Sequence, residues 1–122
     1  MKIKESAENY LEAILMIKKE KGHVRSIDVA NELNFSKPSV SVAMKNFREE
    51  GYIVIENDGG ISLTEKGLEV ASKVFERHQV IARLLITLGV DEETAYEDSC
   101  KIEHDISQQT FEKIKEFLKK NK

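Results

Sequence analysis

Residues 26–64 read SIDVANELNFSKPSVSVAMKNFREEGYIVIENDGGISLT. In the first part of this stretch, apolar residues recur at helical spacing in two short runs, and a serine able to cap a helix, Ser26 or Ser36, precedes each run. Asn34 and Phe35 leave room only for a tight connection between the runs. The pattern therefore predicts a helix-turn-helix. The apolar positions of the first run are Ile27, Val29, Ala30 and Leu33, and the second run carries Val40, Ala43, Met44 and Phe47 inward.

The spacing of apolar residues changes to alternation after Gly51. Two alternating runs flank residues 57–60, a turn with glycines at its end, so we expect two short strands joined as a hairpin. Residues 5–20 carry apolar side chains at helical spacing and predict an amphipathic first helix. The element order over residues 5–64 is that of a winged helix-turn-helix. The alternating residues are Tyr52, Val54, Ile61 and Leu63.

The remainder of the chain shows a helical pattern. One long helix begins at Thr64 and ends before Gly89, and Asp91 and Ser107 can cap two further helices. Gly67 would cost about 1 kcal/mol in an ordinary helix interior, so we expect another backbone to pass close to it. The predicted fold is therefore mainly α with a small β-hairpin.

The sequence predicts two functional regions. Residues 1–64 form the winged helix-turn-helix DNA-binding domain, and residues 65–122 form a helical region. The second region has enough material for dimerisation or sensing but too little for an independent fold. A total of 122 residues suits one domain with such an appendage.

The composition is slightly acidic, with 22 acidic and 19 basic residues and a formal charge of −3. This balance argues against a nucleic-acid binder of the histone type, but it is compatible with a local basic face. The single cysteine, Cys100, excludes an internal disulfide and indicates a reducing, cytoplasmic setting. No apolar run approaches the ~18 residues of a membrane-spanning helix, so no membrane partner is expected.

The second helix of the helix-turn-helix carries the charge expected of a DNA-reading element. Three residues between positions 36 and 48 are basic and none is acidic. In this motif, the N-terminal part of the second helix enters the major groove. Serine hydroxyls can bond phosphates or bases, and an exposed valine can contact a thymine methyl group. The candidate DNA-binding residues are Ser36, Lys37, Pro38, Ser39, Ser41, Val42 and Lys45.

A winged helix can also bind protein, and a helix with three cations can be an ordinary solvated face. The element order together with the basic segment favours double-stranded DNA as the partner. One helix reads too few base pairs for useful specificity, so DNA binding implies a two-fold homodimer on a palindromic site. The residues after 64 are the natural material for that dimer.

Residue types that bind metals cluster on one predicted helix. Cys100, Glu103 and His104 stand at i, i+3 and i+4 and project from one helix face. A thiolate, a carboxylate and an imidazole that converge in this way can bind a divalent transition ion if another element completes the shell. Asn9 and Glu12 likewise share a face of the first helix. The ordinary alternative is a small buried cysteine beside a surface Glu-His pair.

Six phrases of the sequence, taken together, resemble one family of regulators. They are SAENYLE at 6–12, SKPSVS at 36–41, GISLTEKG at 60–67, RH at 77–78, LGVD at 88–91 and CKIEHDIS at 100–107. The chain resembles, over essentially its whole length, the metal-dependent repressors of the diphtheria-toxin-repressor family, especially the short manganese-transport-regulator branch. The resemblance implies a repressor of metal-uptake genes that binds a palindromic operator as a dimer when it is loaded with metal.

The resemblance also implies metal ligands. They are Asn9, Cys100, Glu103 and His104 for the primary site, and Glu12 and His78 with a shared Glu103 for the second ion of the manganese branch. Family members place Met or Asp where this chain has Asn9, whose amide carries no charge. The manganese branch has glutamate where this chain has Cys100, which matches the iron-responsive branch. The ancillary site of that iron branch would need ligands where this chain has Ala82 and Tyr96.

The expected cofactor is Fe(II) or Mn(II), which the resemblance implies, with Zn(II) added on chemical grounds. Thiolate favours Fe(II) or Zn(II) over Mn(II), which prefers oxygen and nitrogen. The alternative function is a winged-helix regulator that responds to a non-metal effector or to oxidation of the thiol. An enzyme with Cys100 as nucleophile and His104 as base is not expected, because the chain lacks a glycine-rich oxyanion loop.

Overall fold

The structure, a computed structural model, describes residues 5–121. The helices are α1 Glu5–Lys21, α2 Ser26–Leu33, α3 Lys37–Glu49, α4 Glu65–Thr87, α5 Glu92–Ile102 and α6 Gln108–Lys120, and the strands are β1 Ile53–Ile55 and β2 Ile61–Leu63. This order confirms the predicted winged helix-turn-helix followed by a helical region. The outer ends of the two predicted regions, residues 1–4 and 122, lie outside the described residues.

The chain divides into two compact units. The first unit ends at Ser72 and the second begins at Lys73, so the division falls inside α4. The functional boundary predicted between residues 64 and 65 lies at the start of the same helix. That boundary stays a prediction.

The first unit is built on α1, α2, α3 and the hairpin. Helix α2 contacts α1 and α3, while α3 contacts β1 and α1 contacts β2. The apolar stripes predicted for α1 and α3 face inward, and Leu11, Ile14, Val40 and Met44 are almost completely buried. Each large apolar side chain buried in this way contributes roughly 1.5–3 kcal/mol relative to exposure. This packing fixes the rotation of α3 about its axis.

The helices of the helix-turn-helix begin in two different ways. Ser36 caps α3 as predicted, because its hydroxyl oxygen accepts the backbone N–H of Ser39 at 3.3 Å. The prediction of Ser26 as the cap of α2 is wrong. Arg25 occupies the cap position, and the Asp28 carboxylate accepts its backbone N–H at 2.9 Å, so that Ser26 becomes the first helical residue. A carboxylate in the first turn also complements the helix dipole.

The wing is the antiparallel hairpin of β1 and β2, which confirms the two predicted strands. Its register pairs Ile53 with Leu63 and Ile55 with Ile61. Within β1, Ile53 is buried, whereas Val54, one of the alternating residues, is 47% exposed. Every position of β1 is apolar, so alternation alone could not assign its buried face.

The turn of the wing is held by Asp58. Its carboxylate accepts the backbone N–H of Gly60 at 2.9 Å. This hydrogen bond, helped by the positive charges of His23 and Arg25, lowers the pKa of the Asp58 carboxyl. Gly59 adopts a φ of 87°, which glycine reaches without a steric penalty. The turn of the wing is therefore short and stabilised by local contacts.

Gly67 lies against the backbone that leads into β1. A Cβ atom at this position would collide with the carbonyl oxygen of Tyr52, which as a backbone atom cannot rotate away. Thr64 ties the same corner, because its hydroxyl donates to the Gly51 carbonyl at 2.6 Å and accepts the Gly67 N–H at 3.2 Å. The expected close approach of another backbone to Gly67 is confirmed.

The second unit contains the rest of α4 together with α5 and α6. Asp91 caps α5 as predicted, and its hydrogen bonds from Thr94 lower the pKa of the Asp91 carboxyl. Ser107 caps α6 by accepting the Thr110 N–H at 3.2 Å. Helix α5 ends at Ile102 and α6 begins at Gln108, so the end of the one and the start of the other are a few residues apart. Among the described residues, no helix is long and apolar enough to cross a membrane.

Candidate DNA-binding face and metal centre

The outward face of α3 carries the candidate DNA-binding residues. Val42 is 61% exposed, while Val40 and Met44 on the opposite face are buried. The core contacts therefore hold one face of the helix inward and present the other to solvent. The role of this face in DNA binding, residue by residue, stays a prediction. The exposed candidates are Ser36, Lys37, Pro38, Ser39, Ser41, Val42 and Lys45.

The two serines at the start of α3 have different capacities for a further partner. The Ser36 hydroxyl donates to Oγ of Ser39 at 2.8 Å and accepts the Ser39 backbone N–H. It is thus committed to the cap. Ser39 uses its oxygen as acceptor and keeps its hydroxyl proton for another group. Of the two, Ser39 is the better donor to a phosphate.

Of the three predicted ligands near the end of α5, Glu103 and His104 lie next to each other. Cys100 is in the last turn of α5, and Glu103 forms its C-terminal cap. The side chains of Glu103 and His104 are buried, and Oε1 of Glu103 lies 3.5 Å from Nε2 of His104. The structure thus places a carboxylate and an imidazole next to each other just beyond the last turn of α5, the turn in which the Cys100 thiol lies.

His78 on α4 lies beside α5. Its Nε2 is 3.1 Å from the backbone carbonyl oxygen of Tyr96. A carbonyl oxygen only accepts hydrogen bonds, so in the neutral ring this contact places the proton on Nε2 and the lone pair on Nδ1. A ring nitrogen of His78 and Sγ of Cys100 lie within 4.8 Å of each other. The part played by Tyr96 has no sequence signal, because every residue has a backbone carbonyl.

The donor set of this unit fits a divalent transition ion. Imidazole nitrogen, thiolate sulfur and carboxylate oxygen are the ligands that such ions use, at bonds of about 2.0–2.3 Å. Two donors within 4.8 Å need only a small adjustment to share one ion. The Glu103 side chain is 1% exposed, and a bound cation would offset the cost of keeping its charge away from water.

Two predicted ligands belong to the first unit. Asn9 and Glu12 lie one turn apart on α1. Glu12 is 4% exposed and Asn9 is half-buried. Glutamate is rarely buried to this degree without a compensating charge or hydrogen bonds. The assignment of both residues as metal ligands stays a prediction.

Two family models match the chain. An iron-dependent repressor N-terminal DNA-binding domain matches residues 2–61, and an iron-dependent repressor metal-binding and dimerisation domain matches residues 64–122. A helix-turn-helix-type transcriptional regulator of Methanocaldococcus jannaschii is 39% identical over 97% of this chain and 96% of its own length. The transcriptional regulator MntR of Bacillus subtilis is 33% identical over 93% of this chain and 80% of its own length.

Solved structures of regulators share the fold. The metal-dependent transcriptional regulator MtsR matches with a TM-score of 0.84 at 25% identity, over 93% of this chain and 53% of that chain. The present chain thus spans about half the length of that protein. IdeR of T. acidophilum matches with a TM-score of 0.82 at 22% identity, over 97% of this chain and 55% of that chain, and supports the fold alone.

The two matched domains confirm the predicted class of protein. They indicate a metal-dependent transcriptional regulator with double-stranded DNA and a second copy of the chain as partners, and a divalent transition metal as cofactor. They also agree with the expectation that the protein is not an enzyme. The chain belongs to the iron-dependent repressor family, with a DNA-binding domain followed by a metal-binding and dimerisation domain.

Proposed function

We propose that this chain represses metal-uptake genes by binding a palindromic operator as a homodimer when it is loaded with a divalent transition metal. One observation carries the proposal: a ring nitrogen of His78 and the sulfur of Cys100 lie within 4.8 Å of each other inside the matched metal-binding domain. The regulator works in the cytoplasm, where its DNA partner is found. Its functional boundary falls between residues 64 and 65.

The proposed ligands come from three helices. His78 of α4 would hold the ion through a ring nitrogen, and Cys100 of α5, together with Glu103 and His104 just beyond it, would supply further ligands. From α1, Glu12 supplies a carboxylate, and its burial supports this role because a cation would offset the buried charge. The amide oxygen of Asn9 is a weaker, uncharged donor that leaves its position open to water.

Fe(II) and Mn(II) are the proposed physiological metals, with Zn(II) as the third candidate. The carboxylates and imidazoles suit all three ions. Cys100 changes the balance, because a thiolate is a poorer ligand for Mn(II) than for Fe(II) or Zn(II). The residue at position 100 therefore has the largest influence on metal preference.

The mechanism follows from where the ligands stand in the chain. A cation held both by the proposed α1 ligands and by the proposed α4–α5 ligands would restrict the orientations available to the two recognition helices of a dimer. The restricted dimer presents both copies of α3 at the spacing of successive major grooves. A shift from about 1% to 99% of this competent form requires roughly 10⁴-fold tighter metal binding by that form. A smaller difference in metal affinity gives a proportionally smaller response.

On the DNA, the exposed face of α3 makes the contacts. Lys37 and Lys45 pair with phosphates, and Ser39 and Ser41 donate to phosphates or base edges. Val42 packs against a thymine methyl group. The wing contacts the adjacent DNA backbone. Its turn carries little positive charge, so it is not expected to make further contacts with the DNA.

Operator binding with and without metal tests the proposal. Duplexes selected from a random library by the full chain with Mn(II) or Fe(II), under anaerobic conditions, supply the operator. Fluorescence anisotropy then measures its affinity with metal and with a chelator. We expect a palindromic consensus and at least tenfold weaker binding in the chelator, as for typical allosteric couplings.

A matched pair of variants shows whether the proposed ligands carry the response. Glu103→Gln removes the buried carboxylate charge and keeps its shape, so we expect DNA binding that no longer responds to metal. Glu97→Gln makes the same change on the exposed side of α5 and should respond like the wild type. An affinity unchanged by the chelator, or a full metal response in Glu103→Gln, would contradict the proposal.

A further inference from the structure

Arg77 on α4 contacts the segment that joins α5 to α6. Its Nη1 donates to the backbone carbonyl oxygen of Glu103 at 2.9 Å and to that of Ile106 at 3.4 Å. Its Nη2 donates to Oε1 of Gln108, in the first turn of α6, at 3.1 Å. One guanidinium thus holds the end of α5, the connecting segment and the start of α6 together.

The guanidinium of Arg77 is itself held in place. Its Cζ lies 5.3 Å from the centre of the Phe111 ring, and Phe111 is buried. Arginine is suited to this position because its planar fork donates in several fixed directions, whereas the lysine ammonium is a compact point charge. A cation beside the last carbonyls of α5 also complements the negative end of the helix dipole.

Two neighbouring residues of α4 contact the backbone of α5 and its C-terminal cap at two separate points. His78 contacts the carbonyl of Tyr96, and Arg77 contacts the carbonyl of Glu103. These points are seven positions apart in the sequence, at residues 96 and 103, which corresponds to about 10 Å along a helix. Cys100 lies between them. Both the rotation and the end of the ligand-bearing segment are therefore set by α4.

We propose that Arg77 is a positioning residue of the metal centre. By fixing the end of α5 before any ion binds, it holds Glu103 and His104 in the arrangement in which they bind metal. The inference rests on the proposed function, because it takes these residues to be ligands. It goes beyond that function by assigning the preorganisation of the centre to a side chain that does not touch the ion.

Electrostatics and positioning predict opposite effects of removing Arg77. Like charges repel, so loss of a positive charge near a bound dication would by itself tighten metal binding. Loss of positioning would weaken it, because the ligands must then be ordered when the ion binds. Residues that orient metal ligands typically change affinity by about 10–100-fold when they are lost. The sign of the change therefore separates the two roles.

The test compares Arg77→Met, Arg77→Lys and the control Arg83→Met in the full chain. Arg83 is an exposed arginine farther along α4. Co(II) serves as the probe: its affinity is measured by competition with a chromogenic chelator, and its thiolate absorption band reports on Cys100. Amide hydrogen exchange of residues 103–107 in the metal-free protein provides a readout that needs no metal.

We expect Arg77→Met to bind Co(II) at least tenfold more weakly and to exchange amides 103–107 faster without metal, while Arg83→Met matches the wild type. Arg77→Lys keeps the charge but not the fork, so it should fall between the two, and it carries the test if Arg77→Met fails to fold. Wild-type affinity and exchange in Arg77→Lys, or tighter Co(II) binding by Arg77→Met, would overturn the inference. No Co(II) binding by the wild type would instead overturn the proposed function, and this inference with it.

Discussion

The Nε2 atom of His78 lies 3.1 Å from the backbone carbonyl oxygen of Tyr96. Both residues belong to the same compact unit as Cys100. Because a carbonyl cannot donate, this contact selects one tautomer of the neutral imidazole. The contact also orients the ring, since Tyr96 belongs to the helix that carries the thiol. If His78 binds a cation in this orientation, as proposed above, Nδ1 is the nitrogen that would bind it.

We predict that metal-free protein holds His78 as the Nε2–H tautomer. Nitrogen-15 NMR of the imidazole rings measures this directly, since protonated and lone-pair nitrogens differ widely in shift. On addition of Zn(II), the Nδ1 signal of His78 should move while Nε2 stays protonated. An Nδ1–H tautomer in the metal-free protein would show that the ring is not prepared in this way.

The residue at position 100 should determine metal preference. We expect Cys100→Glu to bind Mn(II) more tightly relative to Zn(II) than the wild type does, because a carboxylate replaces a soft thiolate. Cys100→Ser serves as the control, since it removes the thiolate without supplying a charge and should weaken binding of both ions. The ratio of the two affinities is measured by indicator competition. An unchanged ratio in Cys100→Glu would exclude residue 100 from the metal shell.

Lys45 on α3 should contribute to DNA affinity through a phosphate. We expect Lys45→Ala to weaken binding to every duplex to a similar extent. A plot of log affinity against log salt concentration has a negative slope, and its magnitude should decrease by about 1. Lys101→Ala, an exposed lysine on α5, is the control and should leave the slope unchanged. A normal slope in Lys45→Ala would place the DNA elsewhere on the protein.

Gly67→Ala should destabilise the first unit, although alanine is normally the better helix former. The added methyl group would collide with the carbonyl oxygen of Tyr52. Overpacking of this kind typically costs about 1–3 kcal/mol. Denaturant unfolding should show a lower midpoint for Gly67→Ala, whereas Ser72→Ala, at an exposed position of the same helix, should unfold like the wild type. A stabilised Gly67→Ala variant would mean that the two backbones are farther apart.

Much of the first unit could be predicted because its signals are local. Ser36 and Pro38 mark the start of α3 whatever surrounds them, and the helical spacing of apolar residues marks its buried face. The predicted cap of α2 is wrong because two local signals compete: Asp28 accepts the N–H of Arg25 and moves the cap away from Ser26. The buried face of β1 could not be predicted, because all three of its residues are apolar.

Spacing alone could group only those residues of the candidate metal centre that are neighbours in the sequence. Helical spacing groups Cys100, Glu103 and His104, whereas in the structure α5 ends at Ile102, so that Glu103 caps the helix and His104 lies beyond it. The residue of α4 that approaches them depends on tertiary packing, so His78 followed from family resemblance and not from periodicity. Arg77 acts on backbone carbonyls 26 and 29 residues away, and such contacts leave no pattern in the sequence.

Thermodynamic linkage tests the central claim, that one metal centre controls DNA affinity. If metal raises operator affinity by some factor, operator DNA must raise metal affinity by the same factor. The measurement is the affinity of the full chain for Mn(II), by indicator competition, with and without saturating operator duplex. We expect tighter metal binding with DNA, by the factor found in the anisotropy experiment, and no such change in Glu103→Gln. Equal Mn(II) affinity with and without operator would contradict it.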